Sequence, residues 1–180
     1  MSKLLEAFGY DVGHEKMGKH GISSWMFAIH STHVPFTTDH AANKGRYWKN
    51  VIHVVRDPLA VLSSVAFTEN NSLEARRTYI WISKDADPIT QAIQSLVGWS
   101  KLVKAWDPDV VIKVEDAATK LPEFLSSRGY PIKENPAFPP TNVNSREHPP
   151  LTLEEIKSTV SWAVYDELMA WCETYRYNIG

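Results

Sequence analysis

The sequence predicts an α/β fold in which a parallel sheet is flanked by helices. Three observations carry that expectation. Short apolar runs alternate with amphipathic stretches, at the spacing of strand and helix units. The run from Asn50 to Val55 is nearly continuous in its apolar character, which suits a strand covered on both faces. Asp57-Pro58 and Asp87-Pro88 each pair a capping side chain with a residue whose missing N–H costs nothing at a helix start.

Taken in order, Ser2 to Gly9 read as a helix closed by Gly9 in the left-handed C-terminal position, and a short strand follows from Tyr10 to Val12. Ser24 to Val34 fit either a strand or a short helix. Pro58 opens a short helix that carries Ser63 and Ser64. After Pro88, the residues Ile89, Ile93, Leu96, Val103 and Trp106 share one face of a longer helix. Asp109 to Asp116 read as a strand, and Ala117 to Gly129 as a short helix broken near Pro122. The segment from Asn135 to Pro150, rich in Pro and Asn, reads as an ordered surface loop. Thr152 and Glu155 then form a capping box, and Ile156, Val160, Val164, Leu168, Trp171 and Tyr175 line one final helix.

At 180 residues, with 43% hydrophobic and 22% charged, the chain suffices for one substantial core, so residues 1–180 are expected to form a single domain. Lys and Arg number 19 against 21 for Asp and Glu, and no basic run occurs. Neither a nucleic-acid backbone nor an anionic membrane therefore finds an electrostatic footprint. Cys172 has no internal disulfide partner, and no signal peptide or spanning apolar stretch appears, which together suit a cytoplasmic protein. The seven Trp residues are expected mainly in the core, although Trp25, Phe27 and Phe36 also suit an apolar acceptor wall.

Arg56 stands at the end of the most apolar strand, where ligands gather in a parallel sheet. A buried guanidinium is costly unless paired, so Arg56 is expected to meet either a carboxylate or an anionic ligand. Asp57, Glu15 and Asp116 are the candidate carboxylates. For an anion, a phosphate at the start of the helix would meet backbone N–H groups, the Arg56 fork and a hydroxyl from Ser63 or Ser64.

Arg56, Pro58 and Ser64 have the spacing of the 3′-phosphate-binding segment in sulfotransferases that use 3′-phosphoadenosine 5′-phosphosulfate, and the chain resembles that family over most of its length. Leu4 to Glu15 resemble the helix after the family's phosphosulfate loop and its second strand. Val110 to Gly129 are similar to a later strand, acidic pair and helix. Asn142 to His148 resemble the late loop that closes over the nucleotide. The resemblance implies a P-loop nucleotide-hydrolase-like sulfotransferase fold, with Arg56, Ser64 and Arg146 as ligands of the nucleotide. It also implies transfer of a sulfuryl group to a hydroxyl or amine on a small-molecule, glycan or peptide acceptor. Glu15 and His33 are the two candidate bases: "DVGHE" matches the place of the glutamate in tyrosylprotein and heparan-type enzymes, and "STHVP" resembles the histidine-bearing stretch of cytosolic ones.

The chain departs from the family at its start, where the first strand and its Gly/Ser/Thr-rich loop should precede the first helix. The fold is therefore expected to be N-terminally incomplete, prone to self-association and weak in catalysis. Two other classes stay open, an inactive nucleotide-binding or interaction protein and another phosphoryl-handling enzyme. His14, Glu15, His30 and His33 lack zinc-site spacing, so no metal is expected.

Overall fold

The computed structural model describes residues 1–29, 48–134, 136–139 and 147–180. His30, His33, Phe36, Arg146 and much of the Pro- and Asn-rich segment lie outside the described residues. The described residues form a mixed α/β structure. In chain order its elements are α1 (Ser2–Ala7), β1 (Val12–His14), β2 (Gly21–Ser23), a 3-10 turn (Trp25–Ala28), β3 (Ile52–Val55), α2 (Pro58–Thr68), α3 (Asn70–Arg77) and α4 (Pro88–Lys104). After these come β4 (Val110–Lys113), a second 3-10 turn (Val114–Asp116), α5 (Ala117–Ser127), α6 (Leu153–Thr159) and α7 (Trp162–Thr174). The strands make two two-stranded sheets: β1 pairs in parallel with β2, Val12 opposite Gly21, and β3 pairs with β4.

The chain divides into two compact units, Met1–Val54 with Trp106–Asn144, and Val55–Ala105 with Ser145–Gly180. In the first unit α1 ends as expected: Gly9 has φ +98°, and the Tyr10 N–H reaches back to the Leu5 carbonyl at 2.9 Å. Leu5, Phe8, Ile112, Ala117, Leu121 and Leu125 are its buried core. The helix expected to break near Pro122 does not break, since α5 runs through Pro122 to Ser127. A proline inside a helix costs about 3 kcal/mol. Burial of Leu121 and Leu125 in the same helix offsets that cost. The extended stretch after β4 is also shorter than expected, because Val114–Asp116 turn into 3-10 geometry.

The second unit is helical and has the larger core, in which Leu62, Ile93, Ile156 and Leu168 are 0% exposed. Both Asp-Pro helix starts form as expected: Asp57 accepts from the Ala60 N–H at 3.1 Å, and Asp87 from the Thr90 N–H at 2.9 Å. The capping box of Thr152 and Glu155 is likewise complete. The single final helix, however, is two. Val160 and Ser161 are extended, with ψ 158° and 154°, and Ser161 restarts the chain as α7 by accepting the Val164 N–H at 3.4 Å. The apolar stripe stays in phase across the break, so Ile156, Leu168 and Trp171 still enter one core. Trp171 also donates its indole N–H to Ser100 on α4 at 2.8 Å. Of the tryptophans, Trp99 and Trp171 are buried while Trp81 and Trp162 are 76% and 77% exposed, so the core expectation holds only in part.

Candidate functional site

The strand-to-helix turn at β3 and α2 is built by short-range chemistry. His53 and Val55 are buried, and Ile52 and Val54 are half-buried, so the strand alternates instead of being covered on both faces. At its end Arg56 and Asp57 are exposed, and Pro58 is buried. The expectation that Arg56 must be paired because it is buried therefore fails. No carboxylate among the described residues forms an ion pair with it. Its guanidinium is a solvated cation at the carboxyl end of a strand. The cost argument applies to a different arginine. Arg76 of α3 is half-buried, with its side chain 15% exposed, and donates to Ser95 at 2.8 Å, lies 3.5 Å from Glu69, and sits over the Trp99 ring. Burial lowers its pKa, with Glu69 opposing that shift, and the role of this arginine is to brace α3 on α4.

Asp57 takes up the Ala60 N–H, so the start of α2 has less to offer an anion than an uncapped helix would. The cation at this turn is Arg56. The two serines then separate. Ser63 is 1% exposed and bonds to His148 and the Pro149 carbonyl. Ser64, eight residues after Arg56, is half-buried, and its Oγ lies 3.5 Å from the Thr68 hydroxyl. Of the expected nucleotide ligands, the second unit thus carries Arg56 and Ser64, while Arg146 lies outside the described residues.

Glu15 belongs to the first unit, just past β1. It has φ +55°, a left-handed conformation that a residue with a Cβ adopts at a cost of about 1 kcal/mol. Two bonds hold it there: its N–H donates to the Ser23 carbonyl at 3.1 Å, and its Oε2 accepts from Ser24 Oγ at 2.5 Å. The half-buried carboxylate is fixed in direction. His14, beside it, is exposed on the strand, and His33 lies outside the described residues.

Gly13 to Lys19 have the G-x-x-x-x-G-K spacing of a phosphate loop, with His20 where a hydroxyl residue would stand. The backbone gives these residues another job. The chain runs from Lys19 into β2 and not into a helix, and the Lys19 N–H is taken by Asp11 Oδ2 at 3.0 Å. Both glycines are required by close packing: a Cβ on Gly13 would lie 2.1 Å from the Lys16 carbonyl, and one on Gly18 2.4 Å from that of Asp11. This is a tight turn between parallel strands, in which the amides of Glu15, Gly18 and Lys19 are already partnered.

Cys172 is buried and its thiol is pushed up to about 11 by burial and then by Asp57, so it is not a nucleophile. Among the described residues, no cluster of three or more His, Cys, Asp or Glu side chains is arranged to hold a metal, and no helix is long and apolar enough to cross a membrane. Comparison of the chain with family models, curated proteins and solved structures returned no match.

Proposed function

We propose that this chain binds the adenosine 3′,5′-bisphosphate portion of 3′-phosphoadenosine 5′-phosphosulfate and serves sulfuryl transfer to an acceptor hydroxyl or amine. The observation that carries the reading is Arg56, an exposed guanidinium with no carboxylate partner among the described residues, at the carboxyl end of a strand and directly before a capped helix. Ser64 follows at the family's spacing on that helix. A bidentate fork of this kind suits a phosphate.

In the transfer step the acceptor oxygen forms a bond to sulfur as the bond from sulfur to the bridging phosphate oxygen breaks. The acceptor proton passes to a base, and the leaving phosphate takes the negative charge. Glu15 suits the base because its carboxylate is held in one direction by Ser24. Glu15→Gln is expected to lower turnover by about 10² to 10⁴ with nucleotide affinity nearly intact. If His33→Ala shows that pattern and Glu15→Gln does not, the base is His33.

A second reading, binding without turnover, is favoured by the turn at Gly13 to Lys19, where the Glu15, Gly18 and Lys19 amides are taken by the protein itself. Both readings rest on nucleotide recognition. In a thermal-shift titration, adenosine 3′,5′-bisphosphate should raise the melting temperature and ATP should not. Stabilisation by ATP alone would replace this reading with that of another phosphoryl-handling enzyme.

A further inference from the structure

A cavity of about 300 Å³ lies within the second unit, lined by α3, by Lys84 in the loop after it and by Gln91 near the start of α4. Gln91 builds its wall. The Gln91 Nε2 donates to the Lys84 carbonyl at 3.3 Å and to the Ala86 carbonyl at 2.6 Å, which ties the loop to α4, and its Oε1 accepts from Arg77 at 2.6 Å. Glu74 pairs with Arg77 from one turn earlier on α3. The guanidinium is thus held from two sides, and the Arg77 side chain is only 13% exposed. Yet two of its five N–H groups are all that bond among the described residues, and its Nε is buried without a partner. Lys84 is exposed, and no ion pair among the described residues includes it.

We propose that this cavity, which neither Arg56 nor Ser64 lines, binds a small monocarboxylate bearing hydroxyl groups; the inference does not depend on the nucleotide reading. Charge sets the head group. Arg77 and Lys84 carry two positive charges against one negative charge on Glu74, a surplus of one that a carboxylate balances and a phosphate dianion overshoots. Polarity sets the rest of the ligand. Leu73 is the one apolar residue among the described lining residues, whereas ligand pockets are usually apolar, and the exposed Asn70 and Asn71 offer amides that both donate and accept. Hydroxyl groups match both roles. About 300 Å³ lies at the small end of ligand pockets, which limits the size. Because Glu74 and Gln91 already hold the Arg77 fork, little freedom is lost there when the carboxylate arrives.

The test is a ¹H–¹⁵N correlation titration of the full chain with D-gluconate and with sorbitol, which carries a hydroxymethyl group where gluconate carries its carboxylate. Gluconate should give saturable shifts of the Asn70 and Asn71 side-chain amides and of the buried Arg77 Nε–H, and sorbitol at the same concentrations should give none. Lys84→Ala should weaken gluconate binding about fivefold, and Lys84→Glu by more. Lys84 is exposed, so both variants should fold as the unaltered chain does. Equal shifts from sorbitol, or none from gluconate, overturn the proposal. Tighter binding of inorganic phosphate at the same resonances would make the cavity a general anion site and overturn it too. Displacement of gluconate by adenosine 3′,5′-bisphosphate would put gluconate on the nucleotide site and likewise contradict it.

Discussion

The two compact units hold their candidate residues in different ways. In the second unit Arg56 stands two residues before α2 and Ser64 lies on it, a helix whose Leu62 and Val65 enter a core of fourteen buried apolar residues among those described. In the first, Glu15 sits on a turn between three-residue strands, in a unit whose core has six buried members among the described residues. Its position is set by hydrogen bonds to Ser23 and Ser24 and by two glycines that admit no side chain. A ligand held by charge needs a rigid base but little angular precision. A proton acceptor needs direction, and short polar contacts supply it.

The largest test of that contrast is a matched pair of cavities. Leu62 and Leu121 are both 0% exposed, one in each unit, and replacing either by Ala should cost about 2 to 5 kcal/mol. Hydrogen exchange should show Leu62→Ala lowering protection in the second unit and Leu121→Ala in the first. Equal loss throughout the chain after either change would mean that the units open together, and the comparison would break.

A further test of similar size concerns acid. His53 of β3 is buried, and burial lowers its pKa from 6.5 to about 4. Between those values the unfolded chain binds the proton and the folded one does not, so stability falls as pH drops from about 6.5 toward 4. A difference of that size corresponds to at most roughly 3 kcal/mol. His53→Leu should flatten the acid limb of a urea-denaturation series, and an unchanged limb would assign the sensitivity to other groups. Smallest is the cap of α6: Thr152→Ala should cost about 1 kcal/mol and lower the melting temperature by a few degrees.

The parts of the fold that were legible in the sequence depend on chemistry within a few residues. Asp57, Asp87 and Thr152 each bond to an amide three residues ahead, so their caps can be read from spacing alone. The break at Val160 and Ser161 escapes such reading because the apolar stripe resumes in phase after it. Pro122 misleads in the opposite direction, since a local rule against proline is overruled by burial on both sides of it. At the candidate site, the position of Arg56 was legible but its exposure was not, because the alternation along β3 is set by what packs on the strand. Ser63 and His148 were beyond reach for a plainer reason. No periodicity links residues 85 apart.

Calorimetric titration with adenosine 3′,5′-bisphosphate, on the unaltered chain and on Arg56→Ala, addresses the central claim most directly. The claim calls for saturable binding by the unaltered chain and a loss of about ten- to a hundredfold in the variant, with a smaller loss for Ser64→Ala. Equal affinity in a folded Arg56→Ala protein would contradict it.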